Sequence, residues 1–394
     1  MKRYVLKELS EFFGKEYKSL PYFLRVIPAI IFYFLYYKDI FGINYLISKI
    51  NYRNKTQKIN SKIVFFEDES NHVFLARKVA VEGSQLIIKP NKIYRRYRSD
   101  FICFILEHDF KDCDIIHIGT IENLHLSKEK YLKQFKKLPQ YKVVTAHLFI
   151  SDNEVKYLSQ YFDMVLTLTE WQAEHLRSLG ISNVDYIHHP VLTSNIKTPD
   201  KTFCRKKYNI PEDKIVLSFA GNIRKQKGIF LVINAIKKLE PEYQSRFFLN
   251  ISGNTSFLDK EKLIKSISEL NISKRIDVRS DYMPFEELVE NMVLADYFLL
   301  PYHYSFKNIS AQLIELAHHG VKCIGTDSSI ISAMIDTYGL GLTFKSNDLD
   351  SFNDLLRNIA DDKVSTKIPK RDFDKDYDFD DIINKYKMIY KLNN

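Results

Sequence analysis

Apolar residues along this chain gather in short runs rich in β-branched side chains, separated by longer stretches with helical spacing. The first set of runs is Lys62–Phe66, Gln85–Lys89, Asp114–Ile118, Tyr141–Thr145 and Met164–Leu168. Runs this short and this apolar read as strands buried on both faces, and intervening segments such as Val73–Val81 read as crossover helices. That alternation predicts a parallel sheet of the α/β class. The pattern pauses over a polar, loop-like stretch from Val191 to Lys206 and then restarts. Lys214–Phe219, Phe247–Ile251, Ile276–Val278, Tyr297–Leu300 and Cys323–Gly325 form the second set. Near the end, Ile382, Ile383, Tyr386, Ile389 and Tyr390 share one face of a helix expected over Asp378–Leu392. The 394 residues suffice for two domains that each bury a core. The expected organisation is an N-terminal arm over 1–60, a first domain over 61–192, a second over 193–365 and a helical tail over 366–394.

Composition changes this picture little, and charge changes it more. An apolar fraction of 45% and a charged fraction of 27% suit an ordinary globular protein. The net charge of +9 is concentrated, because residues 1–60 hold eleven Lys/Arg against four Asp/Glu. The same arm carries the aromatic, apolar run Val26–Tyr37. A spanning helix takes roughly 20 apolar residues, so this run is too short to cross a bilayer, and Arg25 and Pro28 also argue against it. No small-residue cleavage site follows, so a secretory signal fits poorly. Two readings stay open: a helix lying on an anionic membrane surface, or an amphipathic helix packed on the first domain. The expected location is cytoplasmic, peripheral on the cytoplasmic membrane in the first case. Charge placed beside apolar residues in an arm argues against a nucleic-acid partner. Cys103, Cys113, Cys204 and Cys323 have no paired spacing, which argues against a zinc site or disulfide framework and fits a reducing compartment.

Candidate chemistry centres on Leu217–Gly228, where an apolar strand runs into a glycine turn carrying Arg224 and Lys227, followed by the helix-periodic segment Ile229–Leu239. A glycine turn at a strand end lets a ligand approach the backbone, and two cations beside it can neutralise a diphosphate. The plainer alternative is a solvated basic turn, since Lys225 is cationic too. Glu315 lies in the largely apolar run Leu313–Ala317, where an ionised carboxylate needs a partner. His147 ends an apolar strand, the position at which open α/β sheets place ligands, although a lone histidine also serves in cores.

Taken in order, these segments resemble a GT-B-fold glycosyltransferase of the family 4 type, over residues 60–390. The resemblance is carried in the first half by Val143–His147, by Asp163–Glu170 followed by Trp171–Leu176, and by Ile187–Val191. In the second half it is carried by Gly221–Gly228, Ile251–Asn254, Ala295–Pro301, Glu315–Gly320 and Gly325–Asp327. It implies an α/β protein of two facing Rossmann-like domains, with a helical N-terminal arm and a C-terminal helix. It also implies transfer of a sugar, of the hexosyl type, from a nucleotide-diphosphate donor to a glycolipid or oligosaccharide acceptor in bacterial surface polysaccharide synthesis. By this resemblance Gly221, Asn222, Arg224, Lys227, Gly253, Lys307, Ser310 and Glu315 bind the donor, with Glu315 on the ribose, while His147 and Glu170 are catalytic. The nucleotide sugar is a co-substrate, and no metal or other cofactor is expected.

The chain also departs from that pattern. The family has two glutamates eight positions apart, but here the earlier position is Lys307, and no acid occurs between Asp296 and Glu315. Lys307–Ala311 lacks the usual glycines, leaving Ser310 to cap the following helix and bond a phosphate oxygen. In the first half, Phe66–Asn71 holds three acids and no glycine, so close approach to a phosphate from that side is not expected. Asp112 and Asp114 share the spacing of a metal-binding pair but precede a strand and read as a turn. The acidic stretch Asp372–Asp381 lacks the glycine and glutamate of a calcium loop and reads as a lead into a helix N-terminus. His188 and His189 are expected to shape the crossing between domains. An epimerase on the same fold and a non-catalytic binding relative remain as alternatives, the second motivated by Lys307.

Overall fold

The computed structural model describes residues 57–58, 63–66, 85–87, 108–124, 129–146, 151–255, 260–303, 306, 309–327 and 329–390. The N-terminal arm apart from residues 57–58, the expected helix over Val73–Val81, the loop after Phe66, Cys103, His147 and Lys307 lie outside these residues. Among the described residues no helix is long and apolar enough to cross a membrane.

Two six-stranded sheets account for the two sets of apolar runs. The first contains β1 (Ile63–Phe66), β2 (Gln85–Ile87), β3 (Ile115–Ile118), β4 (Tyr141–Ala146), β5 (Met164–Thr167) and β6 (Val184–Tyr186) in the order β2-β1-β3-β4-β5-β6. The pairs β2/β1, β1/β3 and β3/β4 are parallel. Every residue of β1 and β3 is buried, the result expected of uninterrupted apolar runs in a sheet covered on both faces. The buried His117 of β3 is a core histidine: its Nε2 lies 2.9 Å from Thr145 Oγ1. Asp112 lies in a turn and Asp114 in the bend directly ahead of β3, where the sequence places them. A separate two-residue parallel pairing joins Gln57–Lys58 to His108–Asp109.

The second sheet contains β7 (Ile215–Asn222), β8 (Phe247–Asn254), β9 (Ser273–Arg279), β10 (Tyr297–Leu300), β11 (Cys323–Thr326) and β12 (Gly341–Phe344). Its order is β9-β8-β7-β10-β11-β12, the doubly wound arrangement, with all registered pairs parallel. The order reverses between β7 and β10, and such a switch point opens a crevice at the carboxyl ends of the two strands. β6 and β12 were not anticipated: Val184-Asp-Tyr186 alternates with a charge, and Gly341-Leu-Thr-Phe344 opens on glycine.

Crossover helices cover the second sheet. α5 (Ile229–Lys238) buries Ile229, Val232, Ile233, Ala235 and Ile236 at helical spacing and shares one core with Phe352, Leu356 and Ile359 of α10 (Leu349–Ala360). Burying a large aliphatic side chain contributes about 1.5–3 kcal/mol, so this seam is a main source of stability. α7 (Phe285–Val293) docks partly through polar groups instead. Its buried Asn291 Oδ1 accepts from Asn250, Ser252 and Arg275 at 2.9–3.1 Å. α4 (Lys201–Lys207), α8 (Ala311–His318) and α9 (Ser329–Tyr338) complete the surroundings of the site.

The described residues fall into two compact units, one ending at Val165 and the other running from Leu166 to residue 390, with Ala146 and residues 151–152 counted in the second. The second unit therefore includes α3 (Glu170–Ser178), β6 and the tail helices α11 (Phe373–Asp376) and α12 (Phe379–Ile389). The acidic stretch works as capping. Asp372 Oδ1 accepts from the Asp374 and Lys375 amides, and Asp378 Oδ1 from Asp381, so the last helix begins one residue later than expected.

Candidate functional site at the strand ends

The switch point of the second sheet is built by backbone first. β7 and β8 run in register to their ends, so that Gly221 pairs with Gly253 and Asn222 with Asn254. Gly221 has φ +93° and Gly253 φ +128°, conformations that side chains rarely adopt. A Cβ on Gly253 would stand 2.0 Å from Gly221 O, so the strand ends meet backbone to backbone. Beyond Asn222 the chain turns through Arg224 and the single 3-10 turn Lys225–Lys227 into Gly228, which has φ +76° and starts α5. A Cβ on Gly228 would lie 1.8 Å from Pro301 O, at the end of β10. The His303 amide donates to Gln226 O at 3.0 Å, closing the basic turn onto the same segment.

Side chains then converge. The half-buried Lys227 donates from Nζ to Gln312 Oε1 at 2.7 Å and lies 5.6 Å from the centroid of the Tyr302 ring. Burial, and then the neighbouring Arg224, push the Lys227 amine down to about 7. No carboxylate among the described residues forms an ion pair with Lys227. Gln312 Nε2 donates to Ala220 O, and Tyr302 OH donates to Gln312 Oε1 at 3.2 Å. Tyr302 OH also lies 3.1 Å from Ser310 Oγ, and burial pushes its phenol upward in pKa. Ser310 caps α8 as expected, its Oγ accepting from the Leu313 amide at 3.3 Å. Gly221, Asn222, Arg224, Lys227, Gly253 and Ser310 are thus placed around one set of strand ends.

Glu315 and Glu170 are placed differently from the sequence reading. The resemblance assigns the Glu315 carboxylate to a ribose; in the structure both of its oxygens accept hydrogen bonds from within the chain. Oε1 accepts from the Leu192 amide at 2.8 Å, and Oε2 accepts from the Thr193 amide at 3.1 Å and from the Thr193 hydroxyl. The Thr193 proton is spent on Glu315, so His319 Nε2 must donate to Thr193 Oγ1 at 2.8 Å, and His319 Nδ1 then accepts from Thr198 at 2.8 Å. Glu315 and His319 therefore pin the 192–198 segment along α8. Glu170, expected to be catalytic, begins α3 and holds Arg371 Nη1 at 2.6 Å. His188 Nδ1 lies 2.6 Å from Asp376 O, with its ring stacked 4.5 Å from Tyr377, so it joins the tail rather than a ligand site. His189 Nδ1 lies 2.7 Å from Pro190 O.

Tyr302 and Gln312 escaped the sequence reading. Tyr302 is one aromatic residue among many in this chain, while Gln312 had a faint signal, a polar residue in the first turn of a largely apolar helix that also carries Glu315 and His318. Among the described residues no cluster of His, Cys, Asp or Glu has the arrangement of a metal site. What the strand ends offer is two glycines without side chains in the way, two cations and neutral hydrogen-bonding groups, a set suited to holding phosphate oxygens and to stabilising negative charge that develops on them.

Residues 200–372 match the family model described as glycosyl transferases group 1. The O-antigen biosynthesis glycosyltransferase WclY of Escherichia coli is 22% identical over 187 residues, covering 47% of this chain and 49% of the relative. A D-inositol 3-phosphate glycosyltransferase of Nocardioides is 29% identical over 119 residues, covering 28% of this chain and 26% of the relative. The chain thus spans about half or less of the length of these curated relatives. The solved structure of Anabaena HepE in complex with UDP-glucose superposes with a TM-score of 0.61 at 10% identity, over 84% of this chain and 99% of that one. Sucrose-phosphate synthase from Thermosynechococcus elongatus does so with 0.62 at 12% identity, over 85% and 98%. The chain therefore has two Rossmann-like parallel sheets of GT-B class, and its residues 200–372 match the glycosyl transferases group 1 model.

Proposed function

We propose that this protein is a glycosyltransferase that moves a hexosyl group from a nucleotide-diphosphate sugar to a glycolipid or oligosaccharide acceptor in bacterial surface polysaccharide synthesis. One observation carries the reading. Arg224 and a desolvated Lys227 stand at the switch point of the second sheet beside two glycine strand ends, and Lys227 has no described carboxylate partner. Breaking the bond between the sugar and the diphosphate leaves negative charge on the diphosphate. Cations and backbone N–H groups fixed beforehand at that position lower the barrier. A guanidinium grips phosphate through two bonds, and an ammonium adds a compact charge. Asn222 and Ser310 add neutral polar groups for the same oxygens, while Glu315 supports them by holding the 192–193 backbone. Lys307, at the position of the missing acid, adds to the positive charge in this reading. By the family resemblance His147 serves the acceptor, and the basic arm over residues 1–60 keeps the enzyme at the anionic cytoplasmic membrane surface.

UDP-sugars are the first donors to test, since HepE binds UDP-glucose and the E. coli relative is named for O-antigen biosynthesis. Transfer from a panel of UDP- and GDP-sugars to bacterial lipid extracts is the direct assay. Arg224→Ala and Lys227→Ala are each expected to lower turnover by about a hundredfold or more. Full activity in both variants would refute the site. Product formation without any acceptor would instead point to an epimerase.

A further inference from the structure

Gln312 sits in the first turn of α8, where the end of β7, its basic turn and the segment after β10 meet. Its carboxamide is used on both sides. Nε2 donates to Ala220 O, the carbonyl just before Gly221, while Oε1 accepts from Lys227 Nζ at 2.7 Å and from Tyr302 OH at 3.2 Å. A Cβ on Gly221 would come within 2.8 Å of Nε2, so the glycine leaves space for this contact. Because Nε2 is committed to a carbonyl, the amide cannot turn its oxygen away from Lys227.

The charge type matters as much as the geometry. A desolvated ammonium needs an acceptor, and a carboxylate would supply one at the cost of cancelling the positive charge. A carboxamide oxygen satisfies one N–H and leaves the charge and the remaining donors for a ligand. Among the described residues, the charged and titratable groups on the segments that meet there are Arg224 and the exposed Lys225 on the turn, Tyr302 and His303 after β10, and Glu315 on α8. Glu315 is committed to Leu192 and Thr193, so it does not neutralise the lysine.

We propose that Gln312 is a positioning residue for nucleoside-diphosphate binding: anchored on Ala220 O, its carboxamide holds the Lys227 ammonium at the strand ends without neutralising it. This rests on the donor reading of Arg224 and Lys227.

The test uses the full chain with Gln312→Glu, Gln312→Ala, Lys227→Ala and the double variant Gln312→Ala/Lys227→Ala. The first readout needs no ligand. The Lys227 side-chain titration is followed by NMR, its signal assigned by loss in Lys227→Ala. Gln312→Glu, nearly the same size, is expected to raise the midpoint by about one unit or more, because a carboxylate then faces the ammonium. An unchanged midpoint overturns the proposal. The second readout is calorimetric affinity for UDP. Gln312→Ala is expected to weaken UDP binding about tenfold, and adding it to Lys227→Ala is expected to cost less than about twofold more, since its effect passes through the lysine. Fully additive losses overturn the proposal, because a side chain that only braces the fold adds its cost regardless of Lys227. If Gln312→Ala does not fold, the Gln312→Glu midpoint decides alone. Wild-type protein that binds neither UDP, GDP nor ADP overturns the donor reading and the ligand named here together. The ligand-free midpoint then reports separately whether Gln312 holds the ammonium.

Discussion

Gly228 and Gly320 share a left-handed backbone, at φ +76° and +67°, but not an environment. A Cβ at Gly320 meets nothing within 4 Å, whereas one at Gly228 would lie 1.8 Å from Pro301 O. Gly320→Ala is therefore expected to cost only the backbone term, about 1 kcal/mol. Gly228→Ala must also push β10 and the basic turn apart, and is expected to cost on the order of 3 kcal/mol or more and to weaken nucleotide binding. Urea denaturation of the two variants side by side measures the difference; equal costs would show that the turn does not rest on Pro301. Lys227 gives a second expectation at this scale. Its amine is pushed from 10.5 down to about 7 in the folded chain, so between these values the unfolded chain binds the extra proton. Stability should rise with pH across that window, and Lys227→Met should flatten the rise. Affinity for a diphosphate should move the other way, falling as pH climbs above about 7, because the anion needs the charged amine.

At the scale of elements, α8 joins the strand ends to the 192–198 segment. One turn carries Gln312 toward Lys227, and the next carries Glu315 and His319 toward Thr193 and Thr198. Glu315→Gln would replace one of the two accepting oxygens by an NH2 group, set against either the Leu192 amide or the Thr193 amide and hydroxyl, so a loss of about 1–3 kcal/mol in urea denaturation is expected, with or without nucleotide. A variant of wild-type stability that fails only in nucleotide binding would restore Glu315 to the ribose. His319 adds an acid-side dependence. Burial, and then His318, push its imidazole from 6.5 down to about 4, so it is neutral in the fold while the unfolded chain takes up a proton. Stability is complete above 6.5 and should fall as pH drops toward 4, by an amount on the order of 3 kcal/mol that His319→Gln removes. The strands, by contrast, were legible from local sequence. Uninterrupted runs such as Ile63–Phe66 and Tyr297–Leu300 have nowhere to go but a covered sheet, and the glycine turn after β7 names its own position. Glu315 was legible as a buried acid needing a partner, but not the partner itself, which lies more than a hundred residues away in an unremarkable Leu-Thr pair. Gln312 was harder still, because an uncharged side chain acquires its meaning only from the lysine that folding sets beside it.

At the scale of the whole molecule, the matched region and the folded unit do not coincide. The family match ends at residue 372 and begins at 200, yet Glu315 and His319 inside it are satisfied by Thr193 and its neighbours outside it. The tail extends the same dependence. Arg371 bridges Glu170 and Asp376, each at 2.6 Å, and Asp376 also accepts from Tyr338 OH at 2.8 Å. Trp171 meets the edge of Tyr338, and Tyr377 lies stacked between Phe373 and His188. Beyond residue 372 the unit buries Phe373, Tyr377, Ile382, Ile383, Tyr386 and Tyr390. At about 1.5–3 kcal/mol for each large apolar side chain, their loss equals or exceeds the roughly 5–15 kcal/mol by which a domain is stable. The half-exposed ion pairs contribute far less, so the aromatic residues decide the outcome. A fragment of residues 200–372 is therefore expected to lack a cooperative thermal transition and to give poorly dispersed NMR signals. The full chain with Arg371→Ala should still fold, at a cost of about 1 kcal/mol. A fragment that folded cooperatively and bound UDP with wild-type affinity would show that the tail and the 192–198 segment are appendages. The strand-end site would then need nothing beyond its own sheet.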